Sequence, residues 1–289
     1  MKTGEKSMQK DSQMKLFFTL IFFLFLILMG CESTNEPNLE RKLVINGQLN
    51  AGYSIDSIFV SWTEDIEEKY DDSWAGGASV TINGTPLNEY ADFKGAFYFP
   101  DTSYRVQSGM TYNLEATAGG KSVSSQTTVP LPFRFIPIDV QEGDTVQFIP
   151  GDSWVSDAFF TLEWPNYNDP NVEIYRVTSL ADIAISENFI DDDRNITKIL
   201  KGEVEDRENP TIWWASNTFK YARINWMYFN WTGWHSIIVS AMDQNYYHYK
   251  QGILFNEQRP GEEYNQVVKG GYGLFCSSAS DTIRVYIVE

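Results

Sequence analysis

The feature that most constrains this chain is a two-residue alternation between Lys42 and Val129, carried in runs too short for helices. Ile58, Val60 and Trp62 stand against Ser57, Phe59 and Ser61, and Ala78, Val80 and Ile82 stand against Ser79, Thr81 and Asn83. That period sends one set of side chains inward and the other toward water, the pattern of half-buried strands. Turn chemistry falls where such strands must reverse. Asn83-Gly84 closes one run with a dipeptide that tolerates the positive φ of a tight hairpin, and Gly119-Gly120 separates Tyr112 to Ala116 from Ser122 to Thr127 in the same way. Several short strands with turns between them predict an immunoglobulin-like β-sandwich over residues 42–132. The acidic stretch Glu64, Asp65, Glu67, Glu68, Asp71 and Asp72 falls between strands and reads as a solvated loop.

Pro130-Leu131-Pro132 ends that block, because proline cannot join a central strand. Residues 133–289 then supply new strand candidates: Phe160 to Trp164, Val172 to Val177, Trp213 to Phe229, Ser236 to Ser240, and Thr282 to Val288. Near Asp243 the period lengthens. Tyr246, Tyr249, Ile253 and Leu254 fall on one helical face with Asp243 as N-cap, which predicts one helix near 243–257, weakened by Gly252. The expected fold is all-β, with two tandem β-sandwich (immunoglobulin-like) domains, the second carrying one inserted helix.

The amino-terminal part has a different character. Lys15 precedes an apolar run from Leu16 to Met29 that closes with Leu28-Met29-Gly30 before Cys31. The run is shorter than the roughly 20 residues a bilayer span needs. A small residue before a cysteine is instead the pattern of a bacterial lipobox, which makes residues 1–30 a signal peptide, Cys31 the lipidated residue and 31–41 a polar tether. The residues before Met14 add nothing a signal peptide needs, so Met14 is an alternative start. With Cys31 assigned to lipid, Cys276 stands alone of the two cysteines and an intramolecular disulfide is not expected.

Net charge is −17, and the leader removes four lysines against two acids, so residues 31–289 are more acidic still. Such a surface is repelled by nucleic-acid phosphates and by anionic head groups. No nucleic-acid partner is expected, and membrane attachment falls to the lipid anchor.

A set of short motifs comes after the lipobox in order: Leu43-Val44-Ile45-Asn46-Gly47, Gly77-Ala78-Ser79-Val80-Thr81-Ile82, Gly109-Met110-Thr111-Tyr112, Tyr247-His248-Tyr249, and Gly270-Gly271-Tyr272-Gly273-Leu274-Phe275. Together they resemble the DUF4249 family of Bacteroidetes lipoproteins over nearly the whole chain after the signal. The resemblance implies an outer-membrane lipoprotein of unassigned activity, often encoded near TonB-dependent receptors, and it transfers no catalytic residues. Cys276 departs from the small residues more usual after the glycine-rich turn.

Familiar catalytic constellations are missing. The two histidines, His235 and His248, have no partner at metal-ligand spacing, and there is no His-Glu-x-x-His, Cys-x-x-Cys or Gly-x-Ser-x-Gly. Both histidines read as packing or surface residues. Asp191-Asp192-Asp193 lacks the glycine and terminal glutamate of a calcium loop and reads as a solvated turn. No enzyme, metal or cofactor is expected. The second domain concentrates Trp213, Trp214, Trp226, Tyr228, Trp231 and Trp234, which either fill a core or form a sugar-stacking platform. Core filling is favoured where Ile224 to Trp231 is apolar on both faces. Asp56-Ser57-Ile58, Asp144-Thr145-Val146 and Asp281-Thr282-Ile283 resemble an O-glycosylation acceptor of exported Bacteroidetes proteins.

The sequence thus predicts an accessory or binding lipoprotein of the outer membrane, acting beside a TonB-dependent receptor in nutrient uptake or envelope assembly. The alternative is a glycan-binding lipoprotein using Trp213, Trp214, Trp231 or Trp234. Whether the anchor faces the periplasm or the exterior stays open.

Overall fold

The computed structural model describes residues 41–63, 73–147, 158–190, 209–255 and 267–288. The acidic loop at 64–72 and the aspartates at 191–193 lie outside them, as does Cys31. Among the described residues the strands are β1 Leu43–Asn50, β2 Ile58–Trp62, β3 Ser79–Ile82, β4 Thr85–Pro86, β5 Asn88–Tyr90, β6 Phe93–Tyr98, β7 Thr111–Ala118 and β8 Lys121–Thr128. They continue with β9 Ile136–Ile138, β10 Thr145–Gln147, β11 Ala158–Glu163, β12 Val172–Ala181, β13 Thr211–Ser216, β14 Tyr221–Asn225, β15 Gly233–Asp243, β16 Val268–Lys269 and β17 Tyr272–Val288. Among the described residues the α-helix is α1, Gln244–Phe255.

These strands build two sandwich cores that share one sheet. A nine-stranded sheet runs β13-β12-β15-β17-β1-β2-β6-β5, with β10 paired to β17. Its β1 end packs on a five-stranded sheet, β16-β8-β7-β3-β4, around Leu43, Ile45, Ile58, Val60, Tyr112 and Leu114. Its β15 end packs on a three-stranded sheet, β14-β11-β9, around Leu162, Trp164, Tyr175, Val239 and Ile283. Trp164, Tyr175 and Phe133 lie with ring centroids 4.7 to 5.7 Å apart, and each such buried ring contributes about 1.5–3 kcal/mol.

The predicted hairpins form where turn chemistry placed them. Asn83 and Gly84 take φ of 49° and 76° between β3 and β4, and Gly119 and Gly120 take 54° and 77° between β7 and β8. The proline segment is braced rather than loose: buried Asp169 accepts from the Leu131 amide at 2.7 Å, and the Tyr167 hydroxyl donates to the Leu131 carbonyl at 3.1 Å.

Three sequence expectations change. The stretch Trp213 to Phe229 holds two strands that join different sheets, β13 beside β12 and β14 beside β11, and between them Ser216 turns the chain by accepting the Thr218 amide on its hydroxyl at 3.1 Å. On α1, Tyr246 is buried but Tyr249 is 38% exposed, so the inward face is narrower than the spacing predicted. The third difference is long-range. β17 pairs parallel with β1 from Val44↔Tyr272 to Asn50↔Ser278, then antiparallel with β15 as far as Gly233↔Ile287. The same strand gives Phe275 to the first core and Ala279, Ile283, Val285 and Ile287 to the second. Gly273 makes the parallel approach feasible: at φ 107° a Cβ there would sit 1.9 Å from the Ile45 carbonyl oxygen.

Candidate functional site

The face of the nine-stranded sheet turned away from both cores carries a dense set of polar groups. Alternation sends Tyr175 and Val177 of β12 and Ile237 and Val239 of β15 into the second core, and so turns Arg176, Thr178, Ile238 and Ser240 outward. Register then builds a row across four strands: Trp214 lies opposite Arg176, Arg176 opposite Ser240, and Ser240 opposite Ser280. Beside it Ser278 faces Asn50, and Cys276 faces Gln48. The small hydroxyls are bonded to one another and to the amides: Ser280 to Ser240 at 2.8 Å, Ser278 to Asn50 at 2.8 Å, and Gln48 to Asn50 at 2.6 Å.

One end of this face is roofed by α1. Asp243 caps the helix by accepting the Tyr246 amide at 3.0 Å, which turns the chain back over Met242, Cys276, Ile174 and Leu274. Trp214 is fixed at the margin. Its Nε1 donates to the Tyr246 hydroxyl at 3.1 Å, and the Lys250 ammonium stands 3.9 Å from its ring centroid, yet 43% of the residue stays exposed.

The four tryptophans proposed from sequence do not share a surface. Trp213 points to the core side of β13 and stacks on Tyr228 with centroids 3.4 Å apart and planes 6° from parallel. Trp231 is 4% exposed and pairs with Phe189. Trp234 is exposed on the same face as Trp214, against Tyr286 and the Arg284 guanidinium, but stands six residues along β15 from Ser240. That offset separates it from the Trp214 row by about 20 Å. Trp226 is buried as well.

The remaining titratable candidates are packed. His235 is buried in the second core with Nδ1 3.0 Å from the Gly233 carbonyl, and burial lowers its pKa, which favours the neutral ring. His248 sits on α1 beside Tyr247. The Cys276 thiol is pushed well up by burial and by Asp243, the reverse of an activated nucleophile. Among the described residues no three His, Cys, Asp or Glu side chains gather as a metal site, and no helix is long and apolar enough to cross a membrane. The three triplet hydroxyls, on Ser57, Thr145 and Thr282, are all exposed.

Sequence reasoning passed over Arg176 and the serines, and read Asp243 as a helix cap alone. The available signals were an arginine set among apolar strand residues and the run of small residues Ser277-Ser278-Ala279-Ser280.

Comparison with known proteins bears on kinship and not on activity. No curated protein matches the sequence. Eleven solved chains match the structure. The two-domain fibronectin type III segment of chicken tenascin has 11% identity and a TM-score of 0.21, covering 69% of this chain and 88% of that one. The FN1-FN3 domains of chicken CNTN1 have 12% identity and a TM-score of 0.25, covering 85% of this chain and 66% of that one. Scores this low carry no weight for the fold assignment, which rests on strand order and burial. The sequence profile of DUF4249, described as a domain of unknown function, matches residues 32–284. The motif order and this match over most of the chain place the protein in the DUF4249 family.

Proposed function

We propose that the protein is a non-catalytic binding component of the outer-membrane envelope, tethered through Cys31 and acting beside a TonB-dependent receptor in nutrient uptake or envelope assembly. The observation that carries a binding role is the face turned away from both cores, where the exposed Trp214 indole stands opposite Arg176 beside a bed of hydrogen-bonded serine and amide side chains. The lipobox and the acidic body support attachment by lipid and contact with a membrane protein rather than with anionic lipid. Co-purification in mild detergent tests the partner: recovery with a TonB-dependent receptor is expected, and recovery of the lipoprotein alone would contradict it.

A second reading is favoured by Trp214. An exposed indole is the chemistry of sugar stacking, with the ring covering an apolar sugar face and the Lys250 ammonium beside it as a donor, whereas Ser240 and Ser278 are buried and bonded to protein partners. Of the four tryptophans, Trp214 alone has this setting.

A further inference from the structure

We propose that the rings of Phe59, Trp74 and Phe93, at the opposite edge of the nine-stranded sheet from Trp214, form a binding site for an organic cation, a quaternary ammonium group. Strand parity sets two of the rings on the outward face. Ile58 and Val60 enter the first core, so Phe59 between them turns outward, and Ala75 is buried in the same core, so Trp74 beside it turns outward too. The backbone holds Trp74 in place: it bridges Ser61, and the Ala75 amide donates to the Val60 carbonyl at 3.0 Å. The indole then lies over Gly95 of β6. A Cβ at that position would come within 3.2 Å of the ring and 2.6 Å of the Val60 carbonyl oxygen, so glycine, at φ 75°, is what leaves the indole its seat.

Phe93 and Phe59 flank that indole. Phe93 stands 5.2 Å from it at an interplanar angle of 64°, Phe59 stands 6.1 Å from it at 50°, and the two phenylalanines are 6.0 Å and 77° apart. Rings tilted steeply to one another at these separations make a shallow cup, and Trp74 and Phe93 are exposed, so it opens to solvent. One cation can stand within about 6 Å of all three centroids, the range over which a ring face attracts positive charge.

The chain supplies no cation of its own here. The other two exposed tryptophans among the described residues carry one, Lys250 over Trp214 and Arg284 over Trp234, and half-buried Trp62 has the Arg41 guanidinium 6.0 Å from its ring. Among the described residues no lysine or arginine stands over Phe59, Trp74 or Phe93, and neighbouring Lys94 lays its stem along Gly76 instead. The nearest fixed charge is negative. Glu89 accepts the Gly95 amide at 2.7 Å and the Gly77 amide at 2.9 Å, which holds a carboxylate beside the glycine that seats the indole. Those donors are neutral, so the charge is not cancelled, and the net charge of −17 adds to the pull on a cation. A quaternary ammonium group, whose charge is spread over apolar methyls, matches both the aromatic lining and the sign of the field.

The test titrates choline and its uncharged isostere dimethylbutanol, which has carbon in place of nitrogen, into the full chain in a polyoxyethylene detergent. Saturation transfer to the methyl signals reads binding of each. The two probes share a shape and differ in charge. Choline should bind about 10-fold more tightly than the alcohol, the attraction of one cation for ring faces. Trp74→Leu and Phe93→Leu keep an apolar surface and each remove a ring, and each should weaken choline binding by about 5-fold or more, whereas Phe219→Leu, at an exposed ring elsewhere, should not. Phe93 packs on the outer surface, so its variant serves if Trp74→Leu does not fold. Equal binding of the two probes, choline binding undiminished in Phe93→Leu, or no transfer to choline would each overturn the site.

Discussion

Asp243 joins three parts of the molecule through one carboxylate. It is 3% exposed, receives the Thr127 hydroxyl from β8 and the Tyr246 amide from α1, and lies beside Ser277, whose hydroxyl is 2.6 Å from that of Thr127. Burial outweighs these donors and raises its pKa to about 6. Because the folded pKa exceeds the ordinary value of 3.8, the folded state holds its proton more firmly, and stability falls as pH rises through about 6. The ionised form costs on the order of 3 kcal/mol at pH 7. Asp243→Asn keeps a capping oxygen and removes the ionisation. The variant should therefore be more stable than wild type at pH 7.5, with the gap shrinking by pH 4.5. Urea melts at both values check this, and a gap independent of pH would contradict it.

At the scale of elements, β17 decides the architecture. Gly271 and Gly273 allow it to lie against β1, where a Cβ would meet the Leu43 and Ile45 carbonyl oxygens at 2.2 and 1.9 Å. Gly273→Ala should destabilise by about 2–4 kcal/mol, since it adds a backbone clash to an unfavourable positive φ. Because Phe275 and Ile283 sit in different cores on one strand, thermal unfolding should lose both cores in one transition at a lower midpoint; two separated transitions would contradict this. Local pattern made β2, β3, β7, β8 and the Asp243 cap readable from sequence, because each depends on neighbours a few residues away. The β1–β17 pairing joins residues more than 200 positions apart, and no local period encodes that partner.

For the whole molecule, the shared sheet turns one face to both cores and carries Arg176, Trp214 and the serines on the other, where Trp214 is exposed and Ser240 and Ser278 are buried. Aromatic content alone pointed to four tryptophans, but strand parity divides them: Trp213 and Trp231 go to packing, Trp234 stands apart, and Trp214 joins the polar row. Arg176 was legible only as one cation in a strand, since its isolation from carboxylates depends on register across β15, β17 and β1. A binding role on this sheet requires that its outward face, and not the opposite side of the second core, meets the ligand or partner. Site-specific photo-crosslinking in intact cells tests it, with the photoreactive residue at Ile212, exposed beside Trp214 on β13, or at Arg223, exposed on β14 of the three-stranded sheet. An envelope glycan or receptor should be captured from position 212 and not from 223; capture from 223 alone, or equally from both, would contradict the assignment.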